Sequence, residues 1–478
     1  MTQISRWPGS VNSCVAGASR RLRMRATGML MTLSLGAAAC AQSNAKPAEV
    51  PAARSGEPAS EQPAAASPKS ASKNSRGSRR KPTLRESQVV TELMRAAERV
   101  RNLQFVQRVP VLVENRERIT EYVSTQIEEE ELERARVVYT ALGLLPENMD
   151  VRALLLRLMG EQVVGYYDAD EKHLVVRDDI MRGFAQQSGD ESAAESELAE
   201  ARIVLLHELV HALQDQHLQL SEHIHAERDT DASNAFHALV EGDATLAMIG
   251  YALEREQVPL HRLTGNPAQV RSFSDVVRRS PLAGSELEQA PAIVRVPLLS
   301  SYVDGLAFCA SLHGSGGFGA VDRAHSEPPT STEQVLHPER FAQLDAPTPG
   351  QMTALPELDT AGYQVVREDT LGELEMGVYF GQAGAQDEAK RAADGWDGDR
   401  IRVYSRTGYP TAVVWLSVWD TVQDAEQAQS AAERVLNAGS PSLQPRSAVY
   451  RRGSWVLLLR DIEPGLLQHI AARLLNHR

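Results

Sequence analysis

Residues 202–213 read Arg-Ile-Val-Leu-Leu-His207-Glu208-Leu-Val-His211-Ala-Leu, an HExxH pattern inside an apolar run. On an α-helix, residues four apart lie about 400° round, so His207 and His211 share one face a turn apart. Two imidazole nitrogens on one face can grip a Zn²⁺ at ~2.0–2.1 Å. Glu208 sits about 100° away from His207, where it reaches a metal-held water without itself being a ligand. The flanks Ile203 to Leu206, Leu209, Val210, Ala212 and Leu213 bury such a helix nearly all round. Two histidines and a carboxylate buried there need partners, and a metal supplies them. The competing reading satisfies the same histidines with core hydrogen bonds.

Three residues compete for the third ligand position. His217 stands where a third histidine would follow an HExxH helix that turns back on itself. That turn needs glycine at 214, and Gln214 in Ala-Leu-Gln-Asp-Gln continues the helix instead, which points His217 away. Glu241 lies in Ala-Leu-Val-Glu241-Gly242-Asp243-Ala244, on a second apolar helix expected over 230–254 with Asp231 as N-cap. A lone glutamate there calls for a positive partner, and Gly242 lets a helix or a metal approach closely. His237, one turn before Glu241, is the third candidate. Glu241 is favoured.

HExxH followed by Glu241-Gly-x-Ala resembles the gluzincin class of zinc metallopeptidases. More narrowly, His207-Glu-Leu-Val-His-Ala-Leu-Gln-Asp-Gln, Glu241-Gly-Asp-Ala-Thr, Ser301-Tyr302-Val-Asp-Gly and Pro328-Pro-Thr-Ser-Thr-Glu-Gln-Val-Leu-His337-Pro look like a family of bacterial lipoprotein metallopeptidases. The likeness spans roughly residues 150–345, and more faintly the C-terminal part. It implies a zincin fold, with one zinc per chain held by His207, His211 and Glu241, and Glu208 as general base. It also implies that the hairpin at 163–176 supplies an edge strand for a peptide substrate. Tyr302 and His337 are of the type that donates to an oxyanion beside zinc. A core aromatic and a loop hydrogen bonder before Pro338 are the alternatives. Thr330, with Glu333 three residues on, has the spacing of a capping box for a short helix before His337.

Around these residues the chain reads as an α+β protein. Helical periodicity runs from Thr83 to about Leu156, including one helix from Tyr122 to near Gly143. Val163–Tyr167 and His173–Val176 read as a hairpin about Asp168–Glu171. A mainly helical, zincin-like metallopeptidase domain with this small sheet is expected over 83–350, and a small α+β domain over 355–478. The latter has strands at 399–405, 411–419, 447–451 and 454–459 and helices at 425–436 and 466–475.

The N-terminus is different. Arg20, Arg21, Arg23 and Arg25 precede an uncharged stretch from Ala26 to Ala39, the length of a signal core and too short for a membrane span. Gly36-Ala-Ala-Ala-Cys40 resembles a bacterial lipobox, with Ala37 where leucine is usual. Residues 1–40 are therefore read as an export signal with Cys40 lipidated, and 41–82, rich in Ala, Pro, Ser and Lys, as a disordered tether. No apolar run reaches the roughly eighteen residues that a membrane span needs.

Net charge is −13, from 50 Lys/Arg against 63 Asp/Glu. The charge is uneven: residues 1–85 hold 14 Lys/Arg and 3 Asp/Glu, so the remaining 36 Lys/Arg and 60 Asp/Glu make an acidic body. That argues against nucleic acid as partner. Of three cysteines, Cys14 and Cys40 fall in the signal, so Cys309 is the sole internal thiol and is expected as a core residue.

The expectation is a zinc-dependent peptide-bond hydrolase of the cell envelope, exported and membrane-anchored through Cys40, acting on a peptide or protein. The alternative is a non-catalytic, zinc-stabilised envelope lipoprotein that binds a partner.

Overall fold

The computed structural model describes residues 79–476 except 128, 161–162, 187–192, 225, 267–268, 271, 273, 275–285 and 440–445. The signal, Cys40 and residues 41–78 lie outside the described residues; the end of the expected tether is corrected, because Arg79–Arg80 form a paired strand. The fold is α+β, with two small sheets.

The first sheet has four strands: β1 (Arg79–Arg80), β2 (Val111–Glu114), β3 (Gly165–Asp168) and β4 (His173–Arg177), in the order β1-β2-β4-β3. β2 and β4 are parallel and the other pairs antiparallel. The expected hairpin is β3–β4, and β3 is an edge strand. The folded body starts ahead of Thr83, because Arg80 forks onto Glu86 at 2.7 and 2.8 Å and reaches Asp178. Thr83 then caps α1 (Leu84–Arg101) in a reciprocal box with Glu86.

Two parts of the helical expectation for 83–156 are corrected. β2 interrupts it: Pro110 cannot continue a helix and Val111 and Val113 favour a strand, but four residues are too few to declare a period. The helix expected from Tyr122 to Gly143 is two, α2 (Arg116–Gln126) and α3 (Glu129–Ala141), parted where Ile127 turns to φ −86° and ψ 101°. Gly143, at φ +77°, ends the second. α4 (Val151–Gly160) is the short leucine-rich helix.

The core is built on α5 (Asp178–Gln186), α6 (Ala193–Leu218), α7 (Thr230–Arg255) and α8 (Ala292–Gly316). Ile203 through Leu206, Leu209, Val210, Ala212 and Leu213 are all buried, so α6 is surrounded. α7 and α8 touch at glycines: a Cβ on Gly242 would stand 2.2 Å from the Gly305 carbonyl. α8 has the length and hydropathy of a membrane span, which corrects the expectation that no stretch does; Arg295 and Asp304 interrupt it in the sequence. Here 56% of its most apolar stretch is buried inside the fold against α7. Cys309, on α8, is fully buried, and burial pushes its thiol well above the ordinary range.

Asp229, not Asp231, caps α7, accepting from Ala232 N at 3.0 Å. Asp231 instead accepts from Thr332 N and Oγ1 at 2.9 and 2.6 Å. The short helix α9 (Thr332–Leu336) is capped by Ser331 rather than Thr330, through Gln334 N.

The second lobe is an antiparallel sheet of β5 (Gln364–Asp369), β6 (Trp396–Ser405), β7 (Ala412–Trp419), β8 (Ala448–Arg452) and β9 (Trp455–Arg460), ordered β5-β6-β7-β9-β8. α10 (Gly372–Phe380), α11 (Gln386–Ala393) and α12 (Val422–Ala438) cover one face; α13 (Pro464–Leu475) covers the other. Val413 and Trp415 join the first layer, Val414 and Leu416 the second. This is why β7 reads as a continuous apolar run instead of alternating. The lobes are fastened together: Thr230 N and Oγ1 each donate to Asp369 at 3.0 Å, and Tyr139 donates to Glu375 at 2.8 Å.

Candidate metal centre

α6 and α7 run together so that one face of each meets the other. His207 and His211 point from α6, and Glu241 from α7, into a point closed to solvent; all three are at most 1% exposed. His207 Nε2 stands 3.0 Å from Glu241 Oε2 and 3.0 Å from His211 Nε2. His211 Nε2 is 3.7 Å from Glu241 Oε1. Two donors each ~2.0–2.1 Å from a tetrahedral zinc stand roughly 3.3 Å apart, so these separations bracket what one ion needs. Glu241 Oε1 is buried with no hydrogen-bond donor, a cost that a cation would remove. The residues present therefore fit zinc: two imidazole nitrogens and a carboxylate face one point.

Glu208 also lies within reach; His207, Glu208 and His211 offer donor atoms within 4.8 Å of one another. Its carboxylate is turned toward β3, where Tyr167 N donates to Oε2 at 2.9 Å. Tyr167 OH donates to Asp215 at 2.8 Å, which fastens the edge strand to α6 a second time. Burial raises the Glu208 carboxyl above the ordinary range, against the pull of both histidines. Glu241 goes the other way: His211 and His207 overcome its burial and hold it well below that range. Burial lowers His211, but Glu241 outweighs it and the imidazole is raised to about 9.

The other candidates go elsewhere. His217 is exposed on the far side of α6, where its ring donates to Gln104 O at 2.6 Å. His237 is half-buried on α7, lowered to about 4 chiefly by burial, and near enough to feel Glu241 without joining the cluster. Tyr302 is buried with its ring 6.1 Å from that of His207. His337, expected beside the metal, faces the second lobe instead: its Nε2 lies 3.0 Å from Glu373 Oε1 and 3.7 Å from Asp394 Oδ1. Glu373 holds His337 Nε2 at the contact between the lobes, and no oxyanion role is proposed for this residue.

Four residues around the cluster carry no role in the sequence reading. Gln214 Oε1 lies 2.8 Å from His211 Nδ1, and Gln214 Nε2 donates to Val240 O and Asp243 Oδ2 at 3.0 and 2.9 Å. Asp243 forms ion pairs with Arg101 at 2.7 Å and His325 at 3.1 Å. All are buried. The three-residue step from His211 to Gln214, on one helix face inside an apolar run, was the available signal.

Residues 361–460, within the second lobe, match a domain of unknown function, DUF8575. No curated protein matches the chain. No solved structure matches it either.

Proposed function

We propose that the chain is a zinc-dependent peptidase of the gluzincin type, with His207, His211 and Glu241 as ligands and Glu208 as general base. The observation that carries the reading is the convergence of His207, His211 and Glu241 from two helices on one buried point, with a second carboxylate, Glu208, beside it. Zinc, when bound, supplies Lewis acidity that polarises a carbonyl and makes a water acidic near neutral pH. The remaining work belongs to the chain. The Tyr167 N–H holds Glu208 Oε2, leaving Oε1 to take the proton of the attacking water. Burial favours that proton once taken, and lets Glu208 pass it to the leaving amine. β3, as an edge strand beside Glu208, has the backbone direction to pair with an extended peptide. Export and anchoring through lipidated Cys40 complete the proposal, placing the enzyme in the cell envelope.

The test uses the full-length protein. Wild type should hold close to one zinc, and His207→Ala should lose it; full retention in that variant overturns the assignment. Glu208→Gln should keep zinc while peptide cleavage falls by about 100-fold or more, since the amide cannot accept the proton. Zinc in wild type with no cleavage across a broad peptide library supports the partner-binding lipoprotein instead.

A further inference from the structure

We propose that Gln214, Asp243 and Arg101 form a positioning relay that fixes which nitrogen of His211 meets the metal, and that α1 is thereby part of the metal site. This rests on the zinc reading above.

The argument runs through the two ends of one amide. Gln214 is fully buried. One end of its side chain faces the Val240 carbonyl at 3.0 Å and the Asp243 carboxylate at 2.9 Å. Both are acceptors, so that end must be the NH₂ group. A flipped amide would set its oxygen against two oxygens. The other end is therefore the carbonyl oxygen, and His211 Nδ1, 2.8 Å away, must be the donor. With its hydrogen kept on Nδ1, His211 is left with Nε2 as the nitrogen for a metal, and Nε2 is the atom that faces His207 and Glu241.

Asp243 is in turn held by Arg101 at 2.7 Å and His325 at 3.1 Å, which fixes the carboxylate that the amide donates to. Arg101 is itself fully buried, paired also with Asp322 and laid over the Phe318 ring at 4.6 Å from its centroid. It is the last residue of α1, which lies outside the 150–345 stretch that resembles metallopeptidases. The cation at the end of the relay thus comes from a helix that the metal-binding motif does not include.

The experiment compares Gln214→Leu with Gln214→Glu in the full-length protein. Zinc affinity is read by chelator competition, ligand geometry by the visible spectrum of the cobalt-loaded protein, and fold by the melting temperature of the metal-free protein. Leucine removes the acceptor for His211 Nδ1. A neutral glutamic acid keeps that acceptor and donates its proton to Asp243. Both lose the contact with Val240 O, so a merely structural role lowers both melting temperatures and spares neither affinity more than the other. The relay predicts a split: Leu weakens zinc by about 10–100-fold and shifts the cobalt bands, while Glu stays within several-fold of wild type. Gln214→Met, nearly as long as glutamine and without a donor, should follow Leu. Wild-type affinity in Leu and Met, or equal losses in Leu and Glu, overturns the relay while zinc binding by wild type stands. A wild type that takes up no zinc or cobalt overturns the zinc reading first, and the relay with it.

Discussion

Gly242 and Gly305 lie against each other where α7 crosses α8. A Cβ on Gly242 would stand 2.2 Å from the Gly305 carbonyl, and one on Gly305 would stand 2.1 Å from Ala238 O. The atoms in the way are backbone, so they cannot rotate aside. The residue before Gly242 is Glu241, so this contact also sets the depth at which the third candidate ligand enters the site.

Gly242→Ala should therefore destabilise the protein by about 3 kcal/mol, at the upper end of overpacking costs. Helix propensity alone predicts a gain of roughly 1 kcal/mol for the same change. Thermal or urea denaturation of the metal-free protein decides the sign, and a more stable variant would refute the close crossing.

His337 joins the lobes through Glu373, and that hydrogen bond raises the imidazole to about 9 despite its burial. The folded value lies above the ordinary ~6.5 of an unfolded histidine. The stabilisation is then fully present below about pH 6.5 and disappears as pH rises through 9. Glu373 itself stays above its usual range, because burial outweighs the imidazolium beside it. Subtracting His337→Gln from wild type isolates the histidine's share. Urea midpoints should differ most at pH 6 and converge by pH 10; parallel pH curves would dismiss the clasp.

The residues that converge between α6 and α7 were legible because their signals are local. A spacing of four on a buried helix, and a glutamate beside a glycine in an apolar run, need no knowledge of the rest of the fold. The strands expected at 399–405, 411–419, 447–451 and 454–459 were legible for the same reason, as β-rich runs separated by Gly408 and Gly453 turns, although the first begins earlier, at Trp396. Residues defined by distant partners were not. Arg101 ends an amphipathic helix where a solvated arginine would read identically; only the fold brings Asp243 to it. His337 has its partner in the other lobe, at Glu373. Asp231 is drawn away from the cap of α7 by Thr332, a partner far along the chain that no local pattern announces.

Cys40→Ser should move the protein from the membrane fraction to a soluble exported form. The proposed anchor is Cys40 alone, and 56% of the most apolar stretch of α8, the span-like helix, is buried inside the fold. Fractionation of the two proteins from the same cells is sufficient. A variant that still sediments with membranes removes the lipobox reading of residues 36–40.

The third ligand is open to the sharpest test, because its three candidates occupy three different environments. Glu241 faces both Nε2 atoms, at 3.0 and 3.7 Å, and its buried Oε1 has no hydrogen-bond partner among the described residues. Glu241→Ala removes one donor of three and leaves two imidazoles, so zinc affinity should fall beyond the roughly 10–100-fold cost of losing an outer partner. His217 is spent on Gln104 O at the exposed side of α6, with Gln214 continuing the helix, so His217→Ala should bind zinc as wild type does. His237 senses the Glu241 charge from one turn away, and its removal should cost less than about tenfold, the mild end for an outer residue. Chelator competition on the three variants ranks them in one experiment. Loss of binding in His217→Ala with retention in Glu241→Ala would place the third ligand on α6 and end the gluzincin assignment.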